Sequence, residues 1–121
     1  MAERPTRVLD GEILPSFVSG VSQIEGVCMI VKVNDDGNER AYVLVPEDYN
    51  TYSRISEVVI EWRRVLDTLD ASLEELSQFG PVWCEGQFEE FIQSTGGENA
   101  PGRKMTILYQ KPRKAVKAAK S

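Results

Sequence analysis

Two short runs in the first half of the chain combine β-branched and aromatic residues in the way a pleated surface favours, residues 27–33 and residues 40–45, and both predict strands. Between them, Asn34-Asp35-Asp36-Gly37-Asn38-Glu39 contains an Asp-Gly pair that tolerates the positive φ angles of a tight turn. Residues 27–45 therefore read as an antiparallel hairpin. Upstream, residues 7–14 alternate weakly and end at Pro15, which suits an edge strand, and 15–26 read as irregular chain.

The pattern then changes period. Val58, Val59, Trp62, Val65, Leu66 and Leu69 recur at spacings of three and four, with Ser53 or Ser56 placed to cap, and predict a helix over 56–69. Its apolar face should bury Val59, Trp62 and Leu66 against the sheet, with Glu57, Glu61, Arg63, Arg64 and Asp67 outward. Ser72-Leu73-Glu74-Glu75 has the capping-box spacing, and Gly80-Pro81 is a stop signal, so a second helix is expected over 72–79. Phe88, Phe91 and Ile92 share one helical face before Gly96-Gly97, giving a third helix over 87–95. A last strand, 104–110, ends before Pro112. Strands grouped early with helices following indicate an α+β fold: a small, mostly antiparallel sheet packed against two or three helices. Residues 1–110 form the expected domain, and 111–121 a flexible basic C-terminal tail with too little apolar material to anchor itself.

Length and composition are those of one ordinary globular domain. The chain has 121 residues, 41% of them hydrophobic and 27% charged, and it has no apolar run long enough to span a membrane and no signal-peptide core, which makes the cytosol the expected location. Cys28 and Cys84 each have apolar neighbours and read as reduced, buried, slowly reacting thiols.

Charge alters the picture more than composition does. Residues 1–102 hold seven Lys/Arg against all nineteen Asp/Glu, a net of −12, whereas residues 103–121 hold the other seven cations and no acid, +7. Such a split points to a basic arm that meets an anionic partner or folds back on its own acidic body.

Candidate chemistry is sparse. There is no histidine, which removes Ser-His-Asp and Cys-His nucleophile systems, His-ligated zinc and the usual proton shuttle of neutral pH. Residues 97–105 superficially resemble a phosphate-binding loop, but Arg103 stands at the Lys position, Met105 cannot ligand magnesium, and a strand follows where a helix is required. The hairpin turn resembles part of a calcium loop, yet Lys32 takes its first ligand position. Glu74-Glu75 and Glu89-Glu90 point about 100° apart on their helices and cannot share a proton over one substrate. No metal, cofactor or catalytic residue is expected.

These readings favour a non-enzymatic binding or regulatory module working alongside nucleic acid. Arg103, Lys104, Lys111, Arg113, Lys114, Lys117 and Lys120 would contact phosphates, and the acidic body would engage a protein partner. The alternative is an acidic-surface inhibitor of a nucleic-acid-binding enzyme or host defence complex, such as a phage encodes, acting through Glu57, Glu61, Glu74 and Glu89.

Overall fold

The structure, a computed structural model, describes residues 13–112. Strand β1 (Met29–Asp35) and strand β2 (Asn38–Val45) form the expected hairpin, in register from Met29↔Leu44 to Asp35↔Asn38. Its two-residue loop has Asp36 at φ 54° and Gly37 at φ 91°, and the Asn34 side-chain oxygen accepts the Gly37 amide at 2.6 Å. This is the left-handed pair that matches the twist of a hairpin. Strand β4 (Arg103–Gln110) lies antiparallel on the other side of β1, with a bulge at Ile30/Val31.

Among the described residues four α-helices pack with these strands. They are α1 (Ile13–Val21), α2 (Tyr52–Asp67), α3 (Leu73–Leu76) and α4 (Glu85–Ser94). A fourth strand, β3 (Phe79–Cys84), pairs parallel to β2, so the sheet is mixed, mostly antiparallel, in the order β3-β2-β1-β4. The fold is α+β, as the element order implies.

The sheet is covered on both faces. Ile30, Ala41, Val43 and Val45 meet Leu14, Phe17 and Val21 of α1 and Val58 of α2. On the opposite face Val31, Val33, Tyr42 and Leu44 meet Phe88 and Ile92 of α4. Both faces of β2 are therefore buried, which accounts for its near-continuous apolar run.

Three expectations are corrected. Of the edge strand expected over 7–14, residues 7–12 lie outside the described residues and 13–14 begin a helix, which residues 15–21 continue in place of irregular chain; Leu14, Phe17 and Val21 recur at helical spacing and are buried. Pro15 is tolerated because the first-turn amides of a helix have no intrahelical acceptor. The second helix is shorter than 72–79: α3 does have the capping box, with Ser72 accepting the Glu75 amide and Glu75 accepting the Ser72 amide, but Phe79 already starts β3. Helix α2 begins at Tyr52, capped by Thr51 rather than by Ser53 or Ser56, and buries Val58 fully, leaving Val59, Trp62 and Leu66 half-buried. The indole nitrogen of Trp62 is buried without a hydrogen-bond partner among the described residues.

Candidate functional site

Among the described residues the sheet has two edge strands, β3 and β4, and two surface grooves flank the β3 edge. β3 has β2 on one side only among the described residues, and Pro81 stands exposed in its middle, a residue that edge strands accommodate because the missing N–H costs no ladder bond there. Gly80 permits the close packing beneath, since a Cβ at this position would run into the Tyr42 ring. Val82 pairs with Val43 and so faces α2; Trp83 pairs with Leu44 and faces α4.

A groove runs along each side of this strand. On the α2 side, Tyr52, Ile55, Ser56, Val59, Ile60 and Arg63 form one wall of a groove of about 610 Å³ whose other wall includes Val82 and Gln87. Tyr52 is 90% exposed and Ile60 56%, on an element whose other apolar residues are buried or half-buried. On the α4 side, Gln87, Glu90, Phe91 and Ser94, spaced to share one helical face, form a second groove of about 540 Å³ with Val82 and Trp83. Its floor belongs to an aromatic cluster in which Trp83 lies 5.1 Å from Phe91, and Tyr42 5.2 Å from Phe88, between ring centroids. Val82 and Gln87 border both grooves. Each groove holds one charge, Arg63 on the α2 side and Glu90 on the α4 side. Neither charge has an ion-pair partner among the described residues.

The expected basic residues separate. Arg103 is withdrawn from any partner surface: its side chain is only 4% exposed. Nε donates to Asp35 Oδ1 at 2.8 Å, Nη2 donates to Thr95 Oγ1 at 2.9 Å, and Nη1 donates to the Gly97 carbonyl at 2.9 Å. The guanidinium thus ties β4 to β1 and to the carbonyl end of α4, and its bond to Asp35 raises its pKa further. Lys104 and Lys111 are exposed, on β4 and just beyond it. Arg113, Lys114, Lys117 and Lys120 lie outside the described residues.

The expected acidic residues do not form one surface. Glu57 and Glu61 are on α2, with Glu61 paired to Arg64 at 3.0 Å; Glu74 is on α3; Glu89 is on α4, across the sheet from α2. Tyr52, Ile60 and Val82 were not singled out by sequence pattern. A signal existed, because Tyr52 and Ile60 are apolar residues off the Val58-Trp62-Val65 stripe.

Cys84 is buried and Cys28 half-buried, and neither is in a disulfide. Burial pushes the Cys84 thiol above its ordinary pKa, and the Glu47 carboxylate adds to the shift. Cys28 Sγ donates to Glu85 Oε2 at 3.4 Å. Among the described residues no cluster of three or more His, Cys, Asp or Glu could hold a metal ion, and no helix is long and apolar enough to cross a membrane. In comparison with known proteins, no family model, curated protein or solved structure matches the chain.

Proposed function

We propose that the chain is a non-enzymatic binding module, acting in the cytosol, whose folded body engages a protein partner at the β3 edge. One observation carries this reading: Tyr52 and Ile60 stand exposed on the wall of a groove that opens beside an edge strand. Large exposed apolar side chains clustered at a concave site are where protein surfaces make contact, whereas scattered ones carry no such meaning.

Selection of a random-peptide display library on the full-length chain tests it. Enrichment of related sequences on the wild type that disappears on Ile60→Asp, a change at a half-exposed position that leaves the melting curve in place, supports the reading. Absence of enrichment, or enrichment indifferent to Ile60→Asp, overturns it.

A second reading concerns the chain's basic end. Lys104 and Lys111 are exposed, and Lys111 leads into four more cations with no acid, so this end serves phosphates of a nucleic acid while the body holds its protein partner. The inhibitor reading draws less support, because its four carboxylates are spread over three helices on both sides of the sheet.

A further inference from the structure

Resting on the protein-binding reading, we infer that the β3 edge takes its partner by strand addition: an extended peptide segment pairs with Pro81–Trp83, short of Cys84, whose amide donates to Gln87 Oε1 at 3.3 Å, and sends alternate side chains into the two grooves. Side chains of a strand point alternately to the two faces of a sheet. A peptide laid along β3 therefore meets the α2 groove and the α4 groove in turn, and the sharing of Val82 and Gln87 by both grooves puts them on opposite sides of one backbone path. In this mode main-chain hydrogen bonds supply affinity and flanking pockets supply sequence preference.

The lining fixes the chemistry of the occupant. On the α2 side it presents apolar residues to Ile55, Val59 and Ile60 and one carboxylate to Arg63. On the α4 side it presents apolar residues and one Lys or Arg, which meets Glu90 and the faces of Trp83 and Phe91. A second copy of this chain fits less well than a foreign peptide. Antiparallel self-pairing of the six-residue strand places Pro81 opposite Val82 in both copies and puts two donorless residues at the centre.

The test uses synthetic copies of peptides enriched from the random-peptide library, each methylated at one backbone nitrogen in turn, with affinity for the full-length chain read by titration calorimetry. Amides that point at β3 alternate with amides that point away, so losses of roughly two- to tenfold should recur at every second position. Selection repeated on Arg63→Glu should replace the peptide's carboxylate with a Lys or Arg. Peptides that bind but tolerate methylation throughout, or lose affinity at i, i+3, i+4 positions as a docked helix would, overturn strand addition and leave the protein-binding reading standing. A library that yields no binder overturns both. A chain that light scattering shows to be dimeric, and that becomes monomeric on Val82→Asp with its fold intact by circular dichroism, assigns the edge to self-association and also overturns the inference.

Discussion

Phe17→Ala is the sharpest test of how the body is held together, because the helix that contains Phe17 was expected to be irregular chain. The side chain is entirely buried and its ring lies 4.3 Å from that of Phe79, centroid to centroid, at 43°. A buried Phe removes roughly 150–250 Å² from water, which at about 25 cal/mol per Å² is about 4–6 kcal/mol. Alanine keeps its Cβ and the denatured chain is partly collapsed, so the expected loss is about 3–5 kcal/mol. For a domain of total stability about 5–15 kcal/mol this is a large fraction, and at about 4 °C per kcal/mol it lowers Tm by about 12–20 °C. Urea unfolding followed by tryptophan fluorescence reads it directly: the midpoint should fall and the m-value stay constant. A loss below about 1 kcal/mol, the scale of a surface substitution, would refute the packing of α1 under the sheet.

Three further outcomes follow from particular side chains. Arg103→Lys, which cannot reach the Asp35 carboxylate and the α4 carbonyls together, should lower Tm and leave DNA affinity unchanged; reduced DNA affinity at unaltered Tm would return Arg103 to the binding surface. Because burial raises the Cys84 thiol pKa, the unfolded chain loses that proton first, so stability should be intact below the ordinary thiol range, near about pH 8.5, and decline as pH rises through it. Cys84→Ala should flatten that decline in pH-dependent melts, and native Cys84 should label slowly with a thiol reagent, rapid labelling contradicting its burial. A chain cut after Pro112 keeps every described strand and helix, including the Lys111 N–H to Cys28 carbonyl bond beyond β4, so it should keep its Tm and lose most of its DNA affinity. The intact chain's affinity should fall with salt at a logarithmic slope of about −0.9 per phosphate neutralised, and no binding at about 50 mM salt would end the nucleic-acid reading.

The hairpin was legible because Asp36-Gly37 dictates its own turn, and α2 because its apolar spacing is long and regular. β3 was hidden by its own punctuation. Gly80-Pro81 ends a helix in a one-dimensional reading, yet at a sheet edge the same pair is a strand segment that tolerates Pro and needs Gly under Tyr42. Pro15 misled in the same way, as a strand terminator that in fact sits in the first turn of a helix. Arg103 looked like one more cation in a basic run because its acceptor, Asp35, is 68 positions away. The groove was not legible for a related reason: Tyr52 and Ile60 mean little alone, and only β3, laid parallel to β2 at the sheet edge, turns them into a wall.

Amide chemical-shift mapping of the full-length chain with one library-selected peptide tests the central claim most directly. The account predicts shifts at Val82, Trp83, Gln87, Ile60 and Phe91 and slowed hydrogen exchange of the β3 amides between Pro81 and Cys84, with Lys104 and Lys111 unmoved. Shifts centred on β4 and the basic end, with β3 exchange unchanged, would contradict it.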